Sequence, residues 1–425
     1  KNTEASYMTL SFVEAEPKAE LVQQRLMQVV ECAVDEQQQQ HGEENKTNDG
    51  EQQPTTSPNW LDILVSSSSF GNRELLSVVV AVLYNALVRT IDGEEERFTS
   101  SLAESGLFVS TLLRHIVSSK NVTSNLVESK GVVIEDLEDD ATEWITNLIM
   151  LFLYRGFLQT IYRSIGPVAS ILPEHVALLF CIRAEVEHVA KGSENKLFVS
   201  QKTAATSMTF LASVYSEVRS VSDSGSVDNG RAELGHAIRF EILDIFGSYL
   251  GLDIRDTAAI RDSLGKDTNI MLEMAQDLAK FYDDVSLRNH GVKSREVALS
   301  DLEQRALISL VRALGNFSFQ CQHNQDLVRT ILVPRLGESN GRSCMHVLIS
   351  ATSLSHKCFT LREWGLVALR YLIENNPTNQ QVLAELEAQQ PVQSAELSSM
   401  GIRVDLDSKG NAKVVPSEKL NSVTE

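Results

Sequence analysis

Apolar residues recur at spacings of three and four along most of this chain, which is the pattern of helices with one buried face. The first such run covers residues 20–30 and predicts an amphipathic helix. Residues 73–89 are apolar almost throughout, and this run is too long for a strand, so we expect a helix buried on most of its circumference. No sustained period-two alternation occurs before residue 400. Further helices are expected over residues 98–118 (a pair broken at Gly106), 143–164, 173–188, 198–219, 234–252, 256–264, 269–285 and 361–373.

Polar segments divide this helical pattern. Residues 35–58 are rich in Gln and contain no hydrophobic residue, so they cannot bury enough surface to offset the entropy of ordering, and a flexible loop is expected. Near the C-terminus, the sequence around Asp407-Ser-Lys-Gly predicts a small hairpin. The expected organisation is an N-terminal helical segment (1–34), the loop (35–58), a helical repeat region (59–300), C-terminal repeats (301–387) and a tail with the hairpin (388–425).

Two late segments of the chain resemble each other. Arg370 follows Arg312 by 58 residues (370 − 312), and Asn379 follows Asn324 by 55 residues (379 − 324). We therefore predict a repeat whose copies differ by a three-residue slip and a loop insertion. A helix pair has an apolar face that it cannot bury alone, so such pairs must stack. The predicted fold class is all-α, an armadillo/HEAT-like α-solenoid of stacked helix pairs with a short C-terminal β-hairpin-like tail.

Asparagine and glutamine mark both copies at corresponding places. Asn316 is expected to bind the backbone of a neighbouring loop. The Asn324-Gln325 and Asn379-Gln380 pairs are expected to begin and cap the next helix.

The motifs of this region resemble the ataxin-10 family over about residues 307–386. They read Leu314-Gly-Asn-Phe, His323-Asn-Gln-Asp-Leu-Val, Leu361-Arg-Glu-Trp-Gly and Leu369-Arg-Tyr-Leu-Ile-Glu-Asn-Asn-Pro-Thr-Asn-Gln. Tyr371 departs from the family, which usually has Asn at that position. The resemblance implies a cytoplasmic armadillo scaffold without enzymatic activity, associated in animals with cytokinesis, the centrosome and basal body, and neuronal survival.

One aromatic residue in this region has two interpretations. Trp364 could anchor a partner, because Trp is enriched at interface hot spots. Packing between the last helices is favoured, since the helix over residues 361–373 should bury Leu366, Leu369 and Ile373. The candidate partner-binding or repeat-defining residues are Asn316, Asn324, Gln325, Arg362, Glu363, Trp364, Arg370, Asn379 and Gln380.

Charge narrows the classes of partner. The chain has 425 residues with 57 acidic and 38 basic side chains, a formal net charge of −19. A nucleic-acid binder needs a basic surface, and so does a protein that binds anionic membranes. We therefore expect other proteins as partners, or a second copy of the chain, and neither nucleic acid nor membrane.

Cysteine usage and hydropathy bear on localisation. Five scattered cysteines do not form a disulfide framework, so free thiols in a reducing compartment are expected. The apolar stretch 144–154 is too short to span a bilayer. The expected localisation is cytoplasmic, with a perinuclear, centrosomal or basal-body position as a finer alternative.

Possible chemical sites were weighed against simpler interpretations. Cys344, His346, His356 and Cys358 could in principle supply a tetrahedral zinc site. Their spacing fits no known zinc finger, and residues two apart on a helix point in different directions. His175 and His188, with Glu174, Glu185 and Glu187, could suggest an acid/base or metal cluster, but without a His-Glu-x-x-His arrangement they are interpreted as a solvated helix face. No catalytic residue, cofactor or metal site is predicted.

The expected function is a non-enzymatic scaffold whose concave face holds a segment of another protein. A self-associating structural subunit and a trafficking or transport adaptor are the alternatives. An importin-like adaptor needs a ladder of Trp and Asn, and the chain has only 3 Trp.

Overall fold

A computed structural model of the chain describes most of it from residue 80 onward. The predicted N-terminal helix and Gln-rich loop, residues 1–34 and 35–58, lie outside the described residues, and the predicted domain boundaries stay predictions. The described residues are 80–81, 83–85, 100, 102–119, 140–191, 197–223, 229–252, 255–290, 296–335, 338–355, 357–387, 402–406 and 412–416.

Helices form nearly all of the described chain, and most lie within a few residues of their predicted positions. Several begin with a recognisable cap. Ser300 accepts a hydrogen bond from the backbone of Glu303, whose carboxylate accepts one from the Ser300 N–H, so both residues satisfy free donors at the helix start. The helices are α1 Gly106–Ser119, α2 Asp140–Tyr154, α3 Leu158–Ile165, α4 Pro173–Ala190, α5 Gln201–Asp223, α6 Asn229–Tyr249, α7 Arg255–Asp267, α8 Ile270–Arg288, α9 Asp301–Ser318, α10 Gln322–Thr330, α11 Cys344–Thr352, α12 Phe359–Ile373 and α13 Pro377–Glu387.

The single helix predicted over residues 143–164 is wrong. Gly156 interrupts it with a φ of 92°, a left-handed conformation that favours glycine, and α2 and α3 form on either side. A Cβ at this position would also lie 2.9 Å from the Thr203 side chain. The break therefore brings the start of α5 close to the α2–α3 turn.

The helices from α5 onward form three successive units of three, namely α5–α7, α8–α10 and α11–α13. Corresponding helices of successive units pack against each other, which gives three rows: α5, α8 and α11; α6, α9 and α12; and α7, α10 and α13. Helix α4 extends the middle row in front of α6. This stacking confirms the predicted all-α, armadillo/HEAT-like solenoid.

The hydrophobic core follows the middle row. Every residue of α6 from Ala237 to Tyr249 is buried, with Asp244 as the one partial exception. Phe246 of α6 meets Phe317 of α9 edge to face, with 5.4 Å between ring centroids. The middle helices are therefore surrounded by neighbours, as expected for the inner layer of a stack.

Two antiparallel hairpins accompany the described helices. The pair β1 Leu332–Arg335 and β2 Glu338–Ser343 lies between α10 and α11. This hairpin was not predicted, because Pro334 and a polar second strand leave no sustained period-two alternation in this part of the sequence. The pair β3 Ile402–Leu406 and β4 Ala412–Pro416 confirms the predicted C-terminal hairpin.

Candidate protein-binding surface and the contacts that hold it

Two asparagines fasten the last three units together. The Asn324 side chain donates to the Phe317 carbonyl, 2.9 Å away in its own unit, and to the Arg261 carbonyl, 2.8 Å away in the preceding unit. Asn379 repeats this arrangement with the Leu372 carbonyl at 2.9 Å and the Gln325 carbonyl at 3.2 Å. Both side chains are fully buried. These two residues, called the asparagine clamps below, define the repeat.

The clamps correct the capping role predicted for the Asn-Gln pairs. Asn324 and Asn379 are the third residues of α10 and α13, so they do not cap these helices. In α13, the cap comes from Asn376, whose side chain accepts from the Asn379 N–H at 3.1 Å.

The predicted three-residue slip between the copies is also wrong. Both clamps bind the carbonyl seven residues upstream, and the left-handed residues Gln320 and Asn375 likewise lie 55 apart (375 − 320). One offset of 55 therefore relates the two units. In this register Arg312 corresponds to Val367 rather than to Arg370.

The two glutamines of the Asn-Gln pairs have different surroundings. The Gln325 amide donates to the carbonyls of Tyr371 at 2.7 Å and Glu374 at 3.2 Å, both in the following unit. Gln380 is exposed and reaches back to the Ile373 carbonyl of its own unit at 2.8 Å. Gln325 thus joins two units, whereas Gln380 joins only neighbouring parts of the last one.

Asn316 and Tyr371 occupy equivalent positions with different contacts. The buried Asn316 side chain donates to the Gly247 carbonyl. The predicted backbone contact is therefore present, although its partner lies in helix α6 rather than in a loop. Tyr371 instead packs on Phe319, with 4.6 Å between ring centroids. The departure of Tyr371 from the family pattern replaces a hydrogen bond by an aromatic contact.

Ion pairs cross the middle row where α4, α6 and α9 meet. Glu241 is fully buried in α6 and accepts from Arg183 of α4 and Arg305 of α9, each at 2.7 Å. Asp244, one turn further on, accepts from the Ser309 hydroxyl at 2.7 Å, and burial raises the pKa of its carboxyl. These contacts join the three successive helices of the middle row.

A second buried carboxylate lies between α5, α6 and α8. Asp277 accepts hydrogen bonds from the Tyr215 hydroxyl at 2.5 Å and from Arg219 at 2.9 Å, and it forms an ion pair with Arg239. Burial, followed by the Asp277 charge, raises the pKa of Tyr215 above its usual range. The group fixes three helices in one arrangement.

Sequence reasoning missed these charged residues because their partners lie 38 to 65 residues away along the chain. One signal was present. The stretch Ile238-Arg239-Phe240-Glu241-Ile242 places charges inside an otherwise apolar helix, and charges in such a setting are normally paired.

Trp364 packs within the helix stack, as the favoured interpretation predicted. It is half-buried, and the Arg312 guanidinium lies 5.0 Å from the centroid of its ring. Arg312 also donates to Ser248 of α6 at 2.6 Å. Trp364 therefore joins α12 to α9 through a cation–π contact.

The other predicted residues of α12 lie on an exposed face. In α9, the three residues Leu307, Val311 and Gly315 form a stripe at four-residue spacing that is buried. A Cβ added at Gly315 would lie 2.7 Å from Ala368 of α12, so α12 covers this stripe closely. The equivalent residues of α12, 55 positions later, are Arg362, Leu366 and Arg370, and all three are exposed.

We call Phe359, Arg362, Leu366 and Arg370 the terminal stripe. Phe359 is 71% exposed and Leu366 is 58% exposed. They lie seven residues apart, which is two helical turns and the same face. The exposed Glu363 lies beside them. The expectation that Leu366 is buried is therefore wrong, because among the described helices none covers α12 as α12 covers α9.

Cys344 and His346, two of the suggested zinc ligands, lie in different surroundings. Cys344 is fully buried at the start of α11, and burial raises the pKa of its thiol to about 12. His346 is exposed and pairs with the Ser343 hydroxyl at 2.6 Å. His356 lies outside the described residues. Within the described ranges, no group of three or more His, Cys, Asp or Glu side chains could hold a metal ion.

The expected solvated helix face is wrong at His175 and Glu174, which are buried, whereas His188 at the other end of α4 is exposed. His175 is fully buried and stacks on Tyr162 with 4.1 Å between ring centroids. Its Nε2 donates to the Tyr162 carbonyl at 3.1 Å, and its Nδ1 accepts from the Leu172 N–H. Burial lowers the pKa of this imidazole to about 4, so it is neutral at physiological pH. Its Glu174 neighbour pairs with Arg114 at 2.8 Å.

The geometry defines a class of protein: a helical-repeat solenoid that ends in an exposed stripe. Residues 307–415 match the sequence model of the spinocerebellar ataxia type 10 protein domain. The predicted resemblance to the ataxin-10 family is confirmed for this region of the chain.

Three relatives align with the same part of the chain. An ataxin-10 homolog from Kluyveromyces lactis is 32% identical over 116 residues, which are 27% of this chain and 19% of that protein. An ataxin-10 homolog from Dictyostelium discoideum is 28% identical over 118 residues, 27% of this chain and 18% of that protein. Ataxin-10 from Xenopus tropicalis is 28% identical over 96 residues, 23% of this chain and 18% of that protein.

The chain thus aligns with less than a fifth of the length of these curated relatives. No solved structure matches it. In the part of the chain that the structure describes, no helix is long and apolar enough to cross a membrane.

Proposed function

We propose that the chain is a non-enzymatic protein-interaction scaffold of the ataxin-10 type, which binds a partner through the terminal stripe of α12. The observation that carries this proposal is the change from a buried Leu307-Val311-Gly315 stripe to an exposed Arg362-Leu366-Arg370 stripe. Two cations that flank an exposed Leu fit a partner segment whose apolar residue lies between carboxylates. The partner is another protein, rather than nucleic acid or membrane, since the net charge of −19 disfavours both.

The expected binding of a segment on the concave face stays a prediction that this proposal does not use. Binding between the helices of the middle row is disfavoured for a separate reason. The ion pairs of Arg183, Glu241 and Arg305 occupy the middle row between α4 and α9. A bound segment there would have to displace buried charge pairs, and breaking such a pair costs about 3–5 kcal/mol. The terminal stripe requires no such displacement.

The family resemblance suggests the setting. A cytoplasmic scaffold in cytokinesis, in centrosome or basal-body organisation, or in cell survival is the role that we propose. A self-associating structural subunit is the second candidate, because a strongly acidic second copy could also present carboxylates to Arg362 and Arg370. A trafficking or transport adaptor has no comparable observation in its favour.

The test is affinity purification of the chain from its native cytoplasm, with mass spectrometry of the eluate and light scattering of the purified protein. The Leu366→Asp variant should lose the stoichiometric partner. The matched control is Leu272→Asp, because Leu272 is an exposed Leu (38%) on α8, away from the stripe. The control should keep the partner. Raising the salt concentration should weaken wild-type binding, because two arginines contribute to it.

Two outcomes would count against this proposal. A partner that Leu366→Asp retains at wild-type level would show that binding occurs elsewhere. A partner-free protein whose mass is a multiple of 47.1 kDa, and which Leu366→Asp converts to a monomer, would replace it by self-association.

A further inference from the structure

The C-terminal hairpin has a face that needs a partner. In an antiparallel pair, directly opposed residues lie on the same face of the sheet. The register opposes Ile402 with Pro416, Val404 with Val414, and Leu406 with Ala412, so one face of the hairpin consists of six apolar residues. Arg403, Asp405 and Lys413 belong to the other face, opposed as Arg403–Val415 and Asp405–Lys413.

A two-stranded hairpin alone is marginally stable in water, and an apolar face adds stability only when it is buried. Among the described elements, β3 and β4 pack chiefly on each other. The earlier hairpin of this chain shows what such an element does when it is docked. It follows the short helix α10, as β3 and β4 follow the short helix α13, and it packs on α8 with Val333 fully buried.

The terminal stripe is an exposed apolar surface on α12, the helix on which α13 packs. Phe359 and Leu366 are about 10 Å apart along α12, from a rise of 1.5 Å per residue. The apolar face of the hairpin extends over five residues per strand, or about 13 Å. The lengths of the two surfaces therefore agree. The exposed residue of α11 is the polar His346, so α11 offers no comparable apolar surface.

The segment that links the hairpin to α13 is long enough for the hairpin to reach the terminal stripe. Fourteen residues, 388–401, separate α13 from β3, and α13 packs on α12. Fully extended, fourteen residues span about 45 Å, which exceeds the length of α12, about 22 Å. A segment tethered in this way has an effective concentration on the order of millimolar. The family match covers residues 307–415, a range that includes α12, α13, β3 and all of β4 except Pro416.

We propose that the apolar face of the β3–β4 hairpin docks on the terminal stripe of the same chain and competes there with the partner of α12. This inference rests on the stripe named in the proposed function. The structure, in which Phe359 and Leu366 are exposed, is the open state. Docking of the hairpin gives the closed state, so the tail regulates access to the scaffold.

The test is cysteine crosslinking in the purified full chain, without any partner. A Leu366→Cys, Val404→Cys variant should form an intramolecular disulfide under mild oxidation. The matched control is Leu366→Cys with Arg403→Cys, because Arg403 is the neighbouring residue on the opposite face of the hairpin. The first pair should give at least a fivefold higher crosslinked fraction. The described native cysteines are buried, which limits background reaction.

A second measurement does not depend on disulfide geometry. The rate of maleimide labelling at Leu366→Cys should rise at least fivefold when Val404→Asp is added, and it should stay constant when Arg403→Asp is added. Labelling at Leu272→Cys should be the same in all three backgrounds.

Equal crosslinking of both pairs, or unchanged labelling with Val404→Asp, would overturn the proposal. A crosslinked species of twice the chain mass would also overturn it, because the hairpin would then dock on a second copy. Since no partner is present in either assay, these failures are distinct from a failure of the proposed scaffold function.

Discussion

Units α8–α10 and α11–α13 have the same architecture and differ at the surface that faces onward along the stack. Val311 and Gly315 of the inner unit are buried under α12, whereas their equivalents Leu366 and Arg370 are exposed. Terminal repeats of solenoids need an outer face that tolerates water. The comparison teaches that a short stripe of residues, rather than the helix framework, decides whether the stack continues or ends.

The largest expected effect tests the core of the inner unit. Leu314→Asp places an unpaired charge at a fully buried position of α9, and it should lower the free energy of unfolding by about 4 kcal/mol or more. Leu366→Asp makes the same chemical change on the terminal stripe and should alter stability by less than about 0.5 kcal/mol. Denaturant unfolding followed by circular dichroism measures both. Similar losses for the two variants would contradict the comparison.

Protonation of His175 in α4 tests a part of the chain outside the two compared units, α8–α10 and α11–α13. Because burial lowers the pKa of His175 from 6.5 to about 4, the folded protein binds fewer protons than the unfolded chain between these values. The contribution of neutral His175 to the free energy of unfolding is therefore fully present above pH 6.5. It is lost as the pH falls toward 4, by up to roughly 3 kcal/mol. Urea unfolding as a function of pH should show this slope.

The His175→Gln variant should have a flatter pH profile over the same range, even though it is less stable at neutral pH. An unchanged slope would show that His175 is not the group that titrates. At low pH, hydrogen exchange should show the loss of amide protection in α3 and α4. The difference in protection between units α8–α10 and α11–α13 should stay the same.

The asparagine clamps should differ in their contribution. Asn324→Ala removes both hydrogen bonds of its clamp and leaves buried carbonyls unpaired, for an expected loss of about 2–3 kcal/mol. Asn379→Ala removes the equivalent bonds at the end of the stack, where partial unfolding is easier, so the global loss should be about half as large. Hydrogen exchange measured for each helix distinguishes local from global loss, and equal global losses would count against the comparison.

The smallest expected effect tests the stripe directly. Gly315→Ala introduces a Cβ 2.7 Å from Ala368, so α9 and α12 must separate slightly, at a cost of about 1–3 kcal/mol. Arg370→Ala changes the equivalent exposed residue and should leave the free energy of unfolding within about 0.5 kcal/mol of wild type. Thermal melting of both variants is sufficient. A neutral Gly315→Ala would mean that the two helices are less closely packed than described.

Much of this architecture could be predicted from the sequence. Helical periodicity located most of the helices up to α8, together with α12, and the repeated Asn-Gln pairs marked both clamps. The uniform offset escaped prediction because Arg312 and Arg370 look alike although their positions are not equivalent. The β1–β2 hairpin escaped because Val333 is its one described buried residue and Pro334 argues against a strand.

The candidate surface was predicted only in part. Arg362, Glu363 and Arg370 were named from the motif, but Leu366 was assigned to the core. A Leu at helical spacing indicates an apolar face, and it does not show whether another helix exists to cover that face. The buried ion pairs required knowledge of which helices become neighbours, and one sequence does not contain this information.

The asparagine clamps also bear on the order in which the units of the stack assemble. Asn324 and Asn379 each donate to one carbonyl of the preceding unit, so these hydrogen bonds can form only after the preceding unit has been made. A ribosome makes the chain in this order. Each newly made unit therefore finds its docking site already present, and assembly of the solenoid can follow synthesis from the N-terminal side without waiting for the C-terminus.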